Sequence, residues 1–121
     1  MVVTAELKGL QSPDGADLQN FTPEQPDNFQ IRVQALVGPL GSKGQESFDF
    51  VICTPQWLQN EVERQGPLFG KAHILVKAYD YHEIFGVIEK LCAELTADSW
   101  ETIESKLRLY GDWEYEDNRP A

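Results

Sequence analysis

The sequence predicts an α+β fold in two layers, an antiparallel β-sheet of four to five strands with helices packed on one face. Three observations carry that expectation. Apolar residues alternate with polar ones near the start of the chain and again over residues 29–37 and 47–52, the period of a half-buried strand. Between residues 80 and 110 they recur instead at three- and four-residue spacing, the period of an amphipathic helix. The order is three strands, a helix, a strand, two helices and a closing strand or ordered tail, which suits a sheet covered by helices. At 121 residues the chain is one domain, 1–121, long enough to bury roughly two thirds of its unfolded surface around a single core.

The first strand is residues 2–10, where Val3, Ala5 and Leu7 alternate with Thr4, Glu6 and Lys8. A long loop follows, with Pro13, Gly15, Pro23 and Pro26 among several Asp and Asn, residues that favour turns and interrupt ladders. Phe29, Ile31, Val33, Ala35 and Val37 mark the second strand, and Phe48, Phe50 and Ile52 the third. The glycine-bearing segment between them predicts an antiparallel hairpin.

Thr54-Pro55 has the form of an N-cap and first helical position, because the hydroxyl accepts a backbone N–H and proline needs none. A short helix to about Arg64 ends at Gly66-Pro67, and Trp57 on it is expected to pack its ring against the sheet. Ala72–Tyr79 reads as a fourth strand. Asp80 caps a helix with Ile84, Ile88, Leu91, Cys92 and Leu95 along one stripe. Asp98 with Glu101 resembles a capping box, opening a helix that carries Trp100, Ile103, Leu107 and Tyr110 and stops at Gly111.

Twenty acidic against ten basic residues give a net charge of −10, with a pI near 4.5. Such a chain repels nucleic acid and anionic membrane over most of its surface and favours basic partners. The N-terminal residues lack the pattern of a secretory signal, and no apolar run is long enough to span a bilayer. A cytoplasmic protein is expected. Cys53 and Cys92 lie in apolar patterns, where buried free thiols are common.

Catalytic chemistry has little support. His73 and His82 stand on a strand and at a helix start without a nucleophile motif beside them. No tight set of His, Cys and carboxylate ligands suggests a metal, and no cofactor loop is evident. Gly38, Gly41 and Gly44 beside Lys43 precede a strand and not a helix, so a hairpin connection explains them better than a phosphate cradle. Carboxylate pairs are too abundant to signal a hydrolase. The sequence reads as a non-enzyme without cofactor or metal.

The distribution of charge is more telling than its total. Residues 1–28 sum to −4, 29–78 to +1, 79–97 to −3 and 98–121 to −4. In the tail Asp112, Trp113, Glu114, Tyr115, Glu116 and Asp117 interleave aromatics with carboxylates. Aromatics anchor protein interfaces and carboxylates steer a basic partner. The same pattern also describes an edge strand with its aromatics inward and its acids in water. The first loop, with Asp14, Asp17, Glu24 and Asp27, is the second candidate surface.

Segments spread along the chain carry a resemblance: AELKGLQSPD at 5–14, PEQPDNF at 23–29, GPLGSKGQESFDF at 38–50, CTPQWL at 53–58, FGKAHILV at 69–76 and LRLYGDWEYED at 107–117. Through them the chain resembles the immunity protein 8 family, encoded beside the toxins of bacterial polymorphic toxin systems. The resemblance implies that a cognate toxin domain is the partner, neutralised by tight binding without turnover. Many such toxins are nucleases with basic clefts, which an acidic protein can occupy by offering carboxylates where phosphates bind. The alternative is an acidic regulator or adaptor that binds a basic protein as a nucleic-acid mimic. Neither reading involves direct nucleic-acid or membrane binding.

Overall fold

The structure, a computed structural model, describes residues 2–114. Its centre is the expected hairpin of β2 (Gln30–Pro39) and β3 (Glu46–Cys53), paired antiparallel from Gln30↔Cys53 to Val37↔Glu46. Strand pleating sends alternate side chains to opposite faces. Val33, Ala35, Val37, Phe48, Phe50 and Ile52 therefore line one buried face, while Arg32, Gln34, Asp49 and Val51 belong to the other.

β1 (Val3–Gln11) lies antiparallel on the free side of β2, with a register shift between Leu7 and Gly9. Strict alternation after Ala5 and Leu7 would send Leu10 outward. The irregularity slips the parity by one residue, so that Leu10 pairs with Ala35 and packs against the core.

The remaining strands are short. β4 (His73–Leu75) and β6 (Asp112–Trp113) share the outer edge of β3, β4 pairing with Val51–Cys53 and β6 with Phe48–Asp49. β5 (Thr96–Ala97) pairs with Val3–Thr4 at the opposite edge.

Two expectations are corrected here. The sheet is mixed and not wholly antiparallel, because β4 runs parallel to β3. A parallel neighbour requires a crossover, and α1 (Pro55–Gln65) occupies that connection. The fourth strand is also three residues long instead of eight. After the Val76 N–H bonds to the Cys53 carbonyl at 2.9 Å, the chain leaves β3 and carries Tyr79 to an aromatic group with Phe21 and Phe29. The Tyr79 hydroxyl donates to the Leu18 carbonyl at 2.5 Å. With Leu18 and Phe29 buried, this group pins the long first loop to the domain.

The core face is covered by α2 (Tyr81–Glu94), which buries Ile84, Ile88 and Cys92, and by α3 (Trp100–Leu107), which buries Ile103 and Leu107. Each such aliphatic side chain contributes roughly 1.5–3 kcal/mol when removed from water. Asp80 caps α2 as expected, accepting the Glu83 N–H at 3.2 Å. At α3 the cap is Ser99 and not Asp98, its hydroxyl accepting the Thr102 N–H at 3.3 Å.

Thr54 caps α1, accepting the Trp57 N–H at 3.3 Å, and its hydroxyl also accepts the Phe29 N–H at 3.3 Å. Yet α1 buries no residue. Trp57 is half-buried beside Gln30, Arg32 and Val51, residues of the face opposite the core. Cys53 and Cys92 are buried free thiols, and burial pushes the Cys92 thiol up to about 11.

Candidate partner-binding surface

The acidic tail is brought to the sheet by a glycine. Beyond α3 the chain turns over the ring of Phe50 so closely that a Cβ on Gly111 would come within 2.8 Å of it. Only glycine permits that approach. The chain then pairs with β3 in the register Phe48↔Trp113 and Asp49↔Asp112. Alternation sorts the two residue types, placing Trp113 with Phe48 on the core side and Asp112 with Asp49 on the open side.

Trp113 is accordingly half-buried against the core. Its indole N–H donates to Glu46 Oε1 at 3.3 Å, and the Arg108 guanidinium lies 4.7 Å from the ring centroid. The other oxygen of Glu46 accepts the indole N–H of Trp100 at 2.6 Å. One carboxylate thus joins β3, α3 and β6. Glu104 is the next acid to it. Burial, a hydrogen bond to Glu46 and repulsion between the two carboxyls raise its pKa to about 7, against the opposing pull of Arg108.

On the open side the Asp112 carboxylate lies 3.5 Å from Lys71 Nζ, both being well exposed. Glu114 clips the end of β6 to β3: its carboxylate accepts the Ser47 N–H at 2.9 Å, while its own N–H donates to the Ser47 carbonyl at 3.0 Å. Asp49 stands next to both acids. Burial, together with the charges of Asp112 and Glu114, raises its pKa, while Gln34 and Arg32 act in the opposite direction. Its Oδ1 is buried without a hydrogen-bond partner among the described residues. A cation approaching these three carboxylates would relieve their mutual repulsion.

Asp14, Asp17, Glu24 and Asp27 are all exposed in the first loop. Asp17 is engaged locally, accepting the Gln19 N–H and the Asn20 amide at 3.1 and 2.6 Å. This loop leaves β1 at Gln11 and enters β2 at Gln30, opposite Cys53. β6 pairs at the other half of β3. The fold therefore separates the two sets of candidate acids and does not merge them into one surface. Tyr115, Glu116 and Asp117 lie outside the described residues.

Among the described residues no three His, Cys, Asp or Glu side chains are grouped to hold a metal ion, and no helix is long and apolar enough to cross a membrane. His73 donates its Nδ1–H to the Lys71 carbonyl at 2.9 Å, and His82 packs edge-on to Tyr81. The three glycines of the β2–β3 connection shape a turn. Gly41 has φ +81°, and a Cβ on Gly38 would fall 1.9 Å from the Gly44 carbonyl oxygen.

The pattern of these residues along the chain matches the family model described as Immunity protein 8 over residues 5–118. The chain belongs to the immunity protein 8 family. Comparison with curated proteins and with solved structures returned no match. Membership marks this as an immunity protein of a toxin system, and the match runs through both acidic segments and the hairpin between them.

Glu46, Asp49, Glu104 and Arg108 have no place among the residues singled out from sequence, and Trp100 entered only as part of the apolar side of its helix. Asp49 carried a usable signal, a carboxylate on the outer face of a central strand. Nothing local links Glu46 to Trp100, 54 positions away.

Proposed function

We propose that this immunity protein neutralises a cognate toxin domain by stoichiometric binding in the cytoplasm, without turnover, and that its toxin is a polymorphic toxin with a basic surface such as a nuclease cleft. The observation that supports this best is the meeting of Asp49, Asp112 and Glu114 on the open side of the sheet edge, in a family member of net charge −10. Carboxylates on a fixed strand pair lose little entropy on receiving Arg or Lys side chains, and their field steers a basic partner. Trp113 serves this surface by holding β6 in place, with its ring turned to the core. Asp14, Asp17, Glu24 and Asp27 offer a second, separate acidic surface to a basic partner, and Tyr115, Glu116 and Asp117 are further candidate contacts on the strength of their sequence.

The test is co-expression with the toxin domain encoded beside the gene, followed by association kinetics at several salt concentrations. Protection of the cells and a tight complex are expected. Changing Asp112 and Glu114 to Asn and Gln should slow association and flatten its salt dependence, because exposed charges act mainly on encounter. Cells that die despite folded immunity protein would overturn the reading. A neutralised variant that associates as fast as the parent at low salt would remove the β6 edge as the contact surface.

A further inference from the structure

α2 and α3 cover one face of the sheet. On the other, α1 and the loop that follows it border a groove of about 290 Å³, with Arg32 and Val51 on its floor and Trp57, Leu68 and Phe69 around it. Phe69 is 96% exposed, and it does not stand alone, because Trp57 and Leu68 beside it are only half-buried. Tryptophan, arginine and an accessible ring close together are the residues on which protein interfaces concentrate their binding energy. The loop holds that ring in a set position. Gly66 and Ala72 at its ends take left-handed backbone, φ +86° and +68°, a conformation uncommon for alanine. The Ala72 carbonyl accepts the Val51 N–H at 2.7 Å, and the His73 N–H donates to the Gly70 carbonyl at 3.2 Å. A ring presented by a tied loop loses little freedom when a partner covers it.

The neighbouring surface identifies what covers the groove. Lys71, in the same loop as Phe69, brings its Nζ within 3.5 Å of Asp112, so the segment that presents the ring also touches the acidic edge. Val51 on the floor is the next residue after Asp49 on the same face of β3, a separation of about 7 Å along the strand. A protein interface of ordinary size takes about 800 Å² from each partner, far more than three carboxylates supply. A toxin domain seated on Asp49, Asp112 and Glu114 therefore extends over the groove. A second copy of the chain, itself of net charge −10, brings no surplus of cations to those carboxylates. We infer that Phe69 and Trp57 form the apolar anchor of the toxin contact, with the acidic edge as its charged rim, an inference that rests on the toxin-binding reading above. The partner it fits is a toxin domain that sets an apolar pocket beside its Arg and Lys side chains.

The experiment measures association and dissociation rates with the toxin domain encoded beside the gene. Phe69→Ala should melt with the parent, since its ring is almost wholly exposed, yet dissociate at least about tenfold faster, as loss of an anchor does. Its association rate should stay within about twofold of the parent's, because truncations within an interface act mainly on dissociation. Asp112→Asn should do the reverse, slowing encounter. Val87→Ala, half-exposed on α2, should change neither rate. A parent that binds toxin tightly while Phe69→Ala leaves no faster would overturn this inference and leave the toxin-binding reading standing, whereas a parent that binds no toxin removes both. Sedimentation of the free protein covers the remaining occupant. Self-association that Phe69→Ala abolishes would assign the groove to a second copy and overturn the inference as well.

Discussion

The indole N–H groups of Trp100 and Trp113 converge on the two oxygens of one carboxylate, that of Glu46, at 2.6 and 3.3 Å. Trp100 opens α3 and Trp113 closes β6, so this contact locks the C-terminal elements to the first residue of β3. Both indoles can only donate. Glu46 is therefore the acceptor on which their burial depends.

Glu46→Gln should destabilise the protein by about 1–3 kcal/mol, since an amide offers only one acceptor oxygen and leaves one indole N–H poorly partnered. Urea denaturation followed by tryptophan fluorescence measures it, and the emission of the folded variant should also change. An unaltered midpoint and spectrum would show that water replaces the carboxylate without loss.

Glu104 makes stability depend on pH. Its pKa rises from 4.5 to about 7 on folding, so the folded state binds the proton more tightly than the unfolded chain. Its contribution is fully present below the unfolded value and is lost as pH rises through about 7. Asp49, also raised, acts in the same direction. Denaturation between pH 5.5 and 8.5, on the order of the window these shifts define, should show parent stability falling with pH. Glu104→Gln should flatten that fall and exceed the parent at the alkaline end. A variant that follows the parent's slope would locate the pH dependence elsewhere.

Gly38→Ala should be costlier than Gly41→Ala, although only Gly41 has a positive φ. The new Cβ at position 38 would meet the Gly44 carbonyl at 1.9 Å, whereas at Gly41 it meets open space. Opening the β2–β3 connection should cost about 1–3 kcal/mol, against about 1 kcal/mol for the left-handed backbone. Thermal melts of the two variants give the order directly.

Trp57→Ala should cost less than the roughly 3–5 kcal/mol of an enclosed aromatic, because Trp57 is only half-buried on a helix with no buried residue. Phe48→Ala supplies the contrast, its ring being wholly inaccessible, and should cost that full range. Equal losses in the two variants would place α1 in the core.

Sequence alone determined the elements whose signals are local. The β2–β3 hairpin follows from uninterrupted alternation over Phe29–Val37 and Phe48–Ile52, the Thr54-Pro55 start of α1 from the chemistry of one hydroxyl and one imide, and the buried stripe Ile84, Ile88 and Cys92 of α2 from helical spacing. Family membership was legible too, because it is a pattern of residues along the whole chain. The tertiary structure decided what depends on contacts between distant segments. It set β4 parallel to β3 through the α1 crossover, cut that strand to three residues as Tyr79 turned to Phe21 and Phe29, and slipped the parity of β1 so that Leu10 reached the core. It also divided the tail that reads as one acidic-aromatic run. Pairing with β3 turned Trp113 inward to Glu46 and Asp112 outward beside Asp49, since a strand's two faces acquire different surroundings only once a neighbour and a core are present.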